Sequence, residues 1–192
     1  MSFEKDPPSR YRVVENPLRR FVLLETESGR LRTMWPDSVE WQTLEKRKPD
    51  SSWHEDLAQR LTRYFEGDVV DFSDVPTPEG PDFFHNCWAA CRTIARGQTC
   101  SYGELARLAW TSSEGRDESD GRNSGGQAAG QAMRRNPLPI IVPCHRVLAS
   151  TGRLHGFSGS SDPQGENLYL KRTLLEMEGA LTPIGEDTLF DH

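Results

Sequence analysis

The stretch Ile141-Val142-Pro143-Cys144-His145-Arg146-Val147 indicates both the fold and the chemistry of this chain. Its apolar start predicts a short strand, and Pro143 favours extended geometry at the residue before it, so Cys144 is expected at a stiff strand end. A thiolate is a strong nucleophile near neutral pH, and a neighbouring imidazole increases the thiolate fraction of a cysteine. We therefore interpret Cys144 as a candidate nucleophile and His145 as its candidate base.

Four further motifs flank this stretch in a fixed order. Together they resemble the O6-alkylguanine-DNA alkyltransferases, a family of direct-reversal DNA repair proteins. The resemblance runs from about residue 83 to about residue 181, whereas residues 1 to about 78 match the family only in position and size. The motifs are Gly97-Gln98-Thr99-Cys100-Ser101-Tyr102-Gly103-Glu104-Leu105-Ala106, Gly130-Gln131-Ala132-Met133-Arg134-Arg135-Asn136-Pro137-Leu138-Pro139-Ile140, Gly156-Phe157-Ser158-Gly159 and Lys171-Arg172-Thr173-Leu174-Leu175-Glu176-Met177-Glu178-Gly179.

The resemblance implies a reaction that consumes the protein. The family moves an alkyl group from guanine O6 to a protein cysteine in one in-line displacement, without a cofactor. By resemblance, Cys144 is the acceptor, His145 removes its proton through one water molecule, and Glu178 orients the imidazole. Because neighbouring residues of a strand point to opposite faces, a water bridge between Cys144 and His145 is favoured over direct contact. Without its flanking motifs, Cys144 would be interpreted as a buried core cysteine.

The resemblance also implies a set of DNA contacts, since a guanine inside a duplex must be flipped out to be reached. Tyr102 would rotate the nucleotide, while Pro139 and Phe157 would wall the base pocket. The carbonyls of Cys144 and Val147 would read the exocyclic amine of guanine. Ordinary packing is the alternative interpretation of Tyr102, Pro139 and Phe157. The predicted DNA-binding and base-binding residues are Tyr102, Gln127, Arg134, Arg135, Asn136, Pro139, Arg146, Val147, Ser150, Phe157 and Ser158.

Two features depart from the family pattern. Gln127 stands where the family usually carries an arginine that fills the space left by the flipped base, and glutamine lacks the charge and the planar guanidinium. The segment Thr111–Gly125, rich in Ser, Gly, Asp and Glu, replaces a turn that normally has about three or four residues. We predict weaker DNA affinity or slower flipping, unless Arg122 from this segment substitutes for the missing arginine.

The N-terminal part of the chain, residues 1–78, predicts a small lobe that contains both helix and sheet. Phe21–Thr26 and Arg30–Trp35 are short segments on either side of a turn at Gly29, a pattern that predicts a β-hairpin. Val69–Phe72 predicts a further short strand. A Pro-rich and Gly-rich linker follows, so a domain boundary is expected near residue 78.

Capping boxes predict where two helices begin. Ser52 with Glu55 marks the helix of the N-terminal lobe, and Ser101 with Glu104 places Tyr102 in the first turn of another helix. Further helices are predicted over about residues 83–96, 126–135 and a final segment that ends near 178. Residues 79–192 are therefore predicted to form a mainly helical lobe, in which the resemblance implies a helix-turn-helix and the Cys144 strand. The predicted fold class is α+β.

The charge distribution is compatible with DNA although the net charge is −6. From residue 121 to residue 161 there is no Asp or Glu, while five arginines fall in the same range. Phosphate binding responds to the local field, because salt screens exposed charges over about 10 Å. The resemblance implies double-stranded DNA carrying O6-alkylguanine as the partner, and we expect the protein to be a monomer.

The remaining composition favours an intracellular protein. No apolar run approaches the roughly 18 residues of a membrane span, and the N-terminus lacks the apolar core of a signal peptide. Four cysteines show no disulfide-framework density, which favours the cytoplasm, or the nucleus in a eukaryote. Cys87 and Cys91 lie near His85, but no second pair completes a zinc site. We interpret both as core cysteines and expect no metal.

Two alternative functions remain open at this point. A lesion-binding relative of the alkyltransferases would flip the damaged base with little or no transfer, but such relatives replace the reactive cysteine and Cys144 is present here. A cysteine hydrolase built on Cys144 and His145 is disfavoured, because catalytic Cys and His normally come from separated positions in the chain.

Overall fold

The chain divides into two compact units in this computed structural model, which describes residues 6–36, 39–111, 125–154 and 165–182. The first unit joins Met1–Pro78 with Pro137–Ile141, and the second comprises Glu79–Asn136 and Val142–His192. A three-stranded antiparallel sheet lies in the first unit and most of the helices lie in the second. The α+β class predicted from the sequence is confirmed.

The first unit is built around a sheet of three consecutive strands in the order β1-β2-β3. The predicted hairpin is confirmed, since Val22 pairs with Met34 and Gly29 adopts a φ of 81° in the connecting turn. Its elements are β1 Pro8–Val14, β2 Phe21–Thr26, β3 Leu31–Met34, α1 Val39–Leu44 and α2 Glu55–Phe65.

The central strand β2 is buried on both faces. Its first four residues are fully buried, and successive side chains of a strand point to opposite sides. On one side, Val22 and Leu24 join a cluster that includes Trp41 of α1. On the other, the Phe21 ring lies 4.6 Å from the Trp35 ring, measured between centroids. This two-sided burial explains why β2 is a continuous apolar run in the sequence rather than an alternating one.

Two local predictions for the first unit are wrong. The capping box at Ser52 does not form, because the Asp50 carboxylate accepts both the Ser52 backbone N–H (3.0 Å) and its hydroxyl (2.7 Å). Helix α2 instead begins after His54, which has a left-handed φ of 49° and makes no side-chain capping bond. The predicted strand Val69–Phe72 has no partner strand in the described residues, and Val69 is 80% exposed.

The second unit brings four α-helices and a short parallel strand pair together. The capping box at its second helix is confirmed: Glu104 accepts the Ser101 N–H at 2.7 Å, and the Ser101 hydroxyl accepts the Glu104 N–H at 3.2 Å. Its elements are α3 Asp82–Arg92, β4 Cys100–Ser101, α4 Tyr102–Thr111, α5 Gly125–Arg134, a 3₁₀ helix Cys144–Arg146, β5 Val147–Leu148 and α6 Glu166–Met177.

Small residues allow α4 and α5 to pack closely. A Cβ atom on Gly125 would overlap the Trp110 ring and would lie 3.1 Å from the Cβ of Ala106. The Trp88 indole of α3 donates a buried hydrogen bond of 2.9 Å to the Ala132 carbonyl of α5. The glycines and alanines of α5 thus serve packing within the protein, while Gln127 and its exposed neighbours lie on the opposite side of the helix.

The segment Pro137–Ile141 leaves the second unit and packs in the first. Thr33 of β3 holds it twice: its N–H donates to the Pro137 carbonyl and its hydroxyl to the Pro139 carbonyl, both at 2.9 Å. Ile140 has a φ of 74°, a left-handed value that costs a residue other than glycine about 1–3 kcal/mol.

The described helices include none long and apolar enough to cross a membrane. Within the same ranges, no three His, Cys, Asp or Glu side chains lie together in a way that would hold a metal ion. Cys87 and Cys91 are fully buried free thiols of α3, and burial raises the pKa of Cys87 to about 12. Both cysteines belong to the core of the second unit.

Candidate active site

Cys144 lies at the start of a 3₁₀ helix, which differs from the strand end predicted for it. Pro143 has φ −80° and ψ 62°, the geometry of an inverse γ-turn, and the Cys144 N–H accordingly donates to the Val142 carbonyl at 2.8 Å. The chain turns at the proline rather than continuing as a strand. Cys144 is buried, with 8% of the residue exposed.

His145 and Glu178 form a buried pair beside Cys144. His145 Nε2 lies 3.0 Å from Glu178 Oε1, and both side chains are 0% exposed. Arg146 holds the same carboxylate from its other side, with Nε 2.8 Å from Oε2 and Nη2 2.8 Å from Oε1. The carboxylate therefore has three donors, and one of them is the imidazole.

The ionisation of this pair follows from its surroundings. Burial alone would raise the pKa of Glu178, but the hydrogen bonds from Arg146 and His145 outweigh it and leave that pKa well below its usual range. Burial lowers the pKa of His145, and the bond to Glu178 opposes only part of this shift. A neutral imidazole beside an ionised carboxylate donates from Nε2, so the lone pair lies on Nδ1. That tautomer leaves Nδ1 as the atom that can accept a proton.

Two side chains, together with the backbone N–H groups of Cys144 and His145, oppose the effect of burial on the Cys144 thiol. Burial raises the pKa of Cys144, while a hydrogen bond from the Asn136 side chain and the positive charge of Lys171 lower it. Both groups stabilise the thiolate form, which is the nucleophilic one. Asn136 also donates from Nδ2 to the Val142 carbonyl at 2.8 Å, which fixes its side chain beside the Pro143 turn.

Lys171 is a residue of this site that the sequence reasoning missed. It is 0% exposed, and its ammonium donates to the Val147 carbonyl at 2.7 Å. Burial lowers its pKa to about 8, and the nearby thiols partly oppose the shift. The sequence did contain a signal that Lys171 is buried, because this lysine lies three and four residues before Leu174 and Leu175 on the buried face of α6. A lysine in such an apolar stripe is seldom buried without a partner.

Tyr102 reaches the same region through strand pairing. β4 pairs in parallel with β5, so Ser101 lies opposite Leu148 and Tyr102 begins α4 directly afterwards. Lys171 Nζ lies 5.9 Å from the centre of the Tyr102 ring. Burial raises the pKa of Tyr102 to about 12, so its hydroxyl remains a hydrogen-bond donor at neutral pH. Tyr102, which was predicted to contact the base, thus lies near Lys171, whose charge lowers the pKa of Cys144.

The residues predicted to contact DNA fall into different surroundings. Gln127 and Arg134 are exposed on one face of α5, and Ser150 is exposed after β5. Arg135 is exposed too, but it bonds Gln131 Oε1 at 2.6 Å and lies over the Phe84 ring. Pro139 belongs to the first unit. Phe157, Ser158 and Arg122 lie outside the described residues, as does 112–124, the greater part of the Thr111–Gly125 insertion.

The structure gives Arg146 a different place from the one predicted. Its side chain is 13% exposed, and its guanidinium donates to Glu178 and to the Ile94 carbonyl, which accepts from Nη1 at 2.5 Å. A side chain engaged in this way neutralises a buried carboxylate and is not directed at a phosphate. The sequence could not show this, because Glu178 and Ile94 are distant from Arg146 in the chain. We therefore reassign Arg146 from DNA contact to support of Glu178.

Comparison with protein families gives two matches. Residues 82–180 match the family model described as 6-O-methylguanine DNA methyltransferase, DNA binding domain. Residues 9–78 match 6-O-methylguanine DNA methyltransferase, ribonuclease-like domain. The two matches together span most of the chain, and the first contains every residue of the buried site described above.

Individual proteins give the same result. The methylated-DNA--protein-cysteine methyltransferase of Mycobacterium tuberculosis (strain ATCC 25618 / H37Rv) is 32% identical over 187 residues, covering 94% of this chain and 98% of that protein. The constitutive methylated-DNA--protein-cysteine methyltransferase of Bacillus subtilis (strain 168) is 32% identical over 157 residues, covering 78% and 87%. The crystal structure of M. tuberculosis OGT in complex with DNA is 29% identical, with a TM-score of 0.68 and coverage of 89% and 93%.

Proposed function

This chain belongs to the 6-O-methylguanine DNA methyltransferase family, and we propose that it repairs O6-alkylguanine in duplex DNA by moving the alkyl group to Cys144. The family predicted from the sequence is confirmed. The protein binds DNA and acts in direct-reversal repair as a methylated-DNA–protein-cysteine methyltransferase. The observation that carries our assignment of residues is the buried His145–Glu178 pair next to Cys144.

The first step is formation of a thiolate in a site that disfavours charge. His145 Nδ1 takes the thiol proton, and the ionised Glu178 stabilises the imidazolium that results. Asn136 and Lys171 stabilise the sulfur anion. Arg146 keeps Glu178 ionised, so it supports the base without contacting the substrate. We treat Arg146 as a positioning residue.

The second step is an in-line displacement on the alkyl carbon. The sulfur of Cys144 forms a bond to that carbon as the bond from carbon to guanine O6 breaks, and the electron pair of that bond passes to the base. The base then gains a proton equivalent to the one lost by the thiol, so neutral guanine is restored. Because the thioether is stable, each protein molecule acts once.

Access to the lesion depends on the helices of the second unit. Gln127, Gln131 and Arg134 recur at i, i+4 and i+7 along α5 and are all exposed, which forms one continuous polar face. We assign this face to the DNA and Tyr102 to the flipped base. Small residues on the other face hold α5 against α4, so the polar face has a fixed orientation within the second unit.

Four free thiols, none paired as a disulfide, suit a reducing compartment, and we propose that the protein works there, in the cytoplasm. We also propose that it acts as a monomer, since one thiol per lesion is sufficient for the reaction. Size-exclusion chromatography with light scattering, with and without a DNA duplex, measures this directly.

The test of the function is intact-mass measurement followed by peptide mapping. The protein is incubated with a duplex that contains a single O6-methylguanine, and a Cys144→Ser variant is treated in parallel. We expect the mass of one methyl group on Cys144, restored guanine in the DNA, and no label on the variant. Lesion-specific binding without any methyl transfer would instead show a damage-recognition protein, and methylation of another cysteine would contradict the assignment of Cys144.

A further inference from the structure

Thr33 in β3 makes an unusual pair of contacts with a distant part of the chain. Its N–H binds the Pro137 carbonyl and its hydroxyl binds the Pro139 carbonyl, each at 2.9 Å. The side chain is 3% exposed, so the hydroxyl bond is well shielded from water. One residue thereby fixes two carbonyls on either side of Leu138.

The segment that Thr33 holds is under backbone strain. Ile140 has a φ of 74°, which is unfavourable for a β-branched residue, and its side chain is 3% exposed. A strained conformation persists only where its surroundings hold it. The two bonds from Thr33, immediately before Ile140, are such a restraint.

The two residues that flank this segment, Asn136 and Val142, both form a hydrogen bond with Cys144. Asn136 precedes it and donates to the Val142 carbonyl that follows it, at 2.8 Å, closing the segment into a loop. The same Val142 carbonyl accepts the Cys144 N–H at 2.8 Å. The Asn136 side chain also bonds the Cys144 thiol and lowers its pKa. The position of Asn136 relative to Cys144 therefore depends on the conformation of the five residues between Asn136 and Val142.

We infer that Thr33 is a positioning residue for Cys144, which acts by holding Pro137–Ile141 in the strained conformation that keeps Asn136 in place. This inference rests on the proposed function for its biological meaning, but the geometry concerns the reactivity of the thiol itself. The first unit would then contribute to the chemistry through one threonine, in addition to its own stability.

The experiment measures alkylation of each cysteine by iodoacetamide, with peptide mapping, across a pH range. In Thr33→Val the hydroxyl is lost while the shape and the N–H remain. Loss of one shielded hydrogen bond is expected to slow Cys144 alkylation about three- to tenfold at neutral pH and to shift its pH midpoint upward. Cys100, which is only partly buried and lies in β4, distant in sequence from both Thr33 and Pro137–Ile141, provides an internal reference whose alkylation rate we expect to stay unchanged.

Two further variants separate positioning from general stability. Thr26→Val removes the hydroxyl of another buried threonine of the same sheet, which is 2% exposed and bonds Ser28, Arg30 and the Asp6 carboxylate, so it should leave Cys144 unaffected. Thr33→Ser keeps a hydroxyl and should react nearly as the wild type. If Thr33→Val does not fold, Thr33→Ala against Thr26→Ala gives the same comparison.

The inference is overturned if Thr33→Val and wild type share the same rate and midpoint at Cys144, or if Thr26→Val slows Cys144 equally. Because iodoacetamide requires no DNA, this result is independent of the repair assay. A wild type that reacts with iodoacetamide but never accepts a methyl group from DNA would refute the proposed function and leave the Thr33 comparison valid.

Discussion

Glu178→Gln keeps the shape of a buried side chain but removes the charge that His145 and Arg146 share. In the wild type, Oε1 accepts from His145 at 3.0 Å and from Arg146 at 2.8 Å, while Oε2 accepts from Arg146 at 2.8 Å. An amide presents only one acceptor atom. Its nitrogen replaces either Oε2, where it faces Arg146 Nε, or Oε1, where it faces both Arg146 Nη2 and the imidazole. The second choice would shift the His145 proton to Nδ1, where the base is needed.

Two separate effects, one on stability and one on rate, follow from this geometry. Breaking a buried charge pair by removing one partner costs about 3–5 kcal/mol, and we expect the lower end because Arg146 is 13% exposed. Losing a correctly oriented general base lowers a rate about 10²- to 10⁴-fold. The rate effect therefore exceeds what partial unfolding of a stable protein would produce.

The assay is single-turnover methyl transfer with protein in excess over a duplex carrying O6-methylguanine, alongside urea unfolding. Glu176→Gln is the matched control, since Glu176 lies in the last turn of α6, two residues before Glu178, and accepts from Arg172 at 2.8 Å in a partly exposed pair. It should change the rate less than about twofold and the stability by less than about 1 kcal/mol. Wild-type rates in Glu178→Gln would refute the role given to the carboxylate, whatever its stability.

The pH dependence of the stability difference gives a second check. The folded pKa of Glu178 is lowered, so its contribution is fully present above the unfolded value of 4.5 and is lost as the pH falls through the folded value. The stability advantage of the wild type over Glu178→Gln should therefore be constant near neutrality and should shrink below about pH 4.5. A constant difference down to pH 3 would contradict the ion pair.

Three other changes test separate parts of the molecule. Gly97→Ala should lower the free energy of unfolding, measured in urea, by about 1–2 kcal/mol more than Gly29→Ala does. Both glycines have a positive φ, but a Cβ on Gly97 would also lie 3.2 Å from the Glu178 carbonyl oxygen. Equal losses of stability in the two variants would argue against that contact. Lys171→Met should slow iodoacetamide labelling of Cys144 roughly tenfold at pH 7. The difference in labelling rate between the wild type and Lys171→Met should become smaller above pH 8, because the pKa of Lys171 is about 8. A rate difference that does not change with pH would show that the charge of Lys171 is not its cause. Gln127→Arg should tighten binding to duplex DNA, make the slope of log affinity against log salt steeper by about 1, and speed repair. Gln131→Arg is the control and should raise only the DNA affinity. If Gln127→Arg repairs no faster than the wild type, Gln127 does not limit base flipping.

Features set by neighbouring residues were predictable from the sequence. The hairpin around Gly29 and the capping box of Ser101 with Glu104 both depend on contacts within a few residues. The same reasoning from neighbouring residues was wrong at Ser52, because the Asp50 carboxylate accepts the hydroxyl that was expected to cap α2. At Cys144 the apolar run suggested a strand, but the proline formed an inverse γ-turn and a 3₁₀ helix followed.

Features set by distant residues were predictable only where a family resemblance supplied them. The pairing of His145 with Glu178 joins residues 33 positions apart, and no spacing rule would have found it. Arg146 was assigned to DNA because arginines often bind phosphate, yet its partners are Glu178 and Ile94. Lys171 was overlooked because a charge is normally expected at the surface. In each case the deciding contact comes from tertiary packing.

The seating of Gly125 against Trp110 has a practical consequence for protein engineering. The two ends of the α4–α5 connection are held by helix packing, so the register of α5 does not depend on the length of the intervening residues 112–124. The entropic cost of closing a longer loop rises by only about 0.6 kcal/mol for each doubling of its length. We therefore expect an insertion in this connection to leave the packing of α4 against α5 and the reactive thiol unchanged, so that any effect of the insertion on DNA affinity would report on the Thr111–Gly125 segment alone.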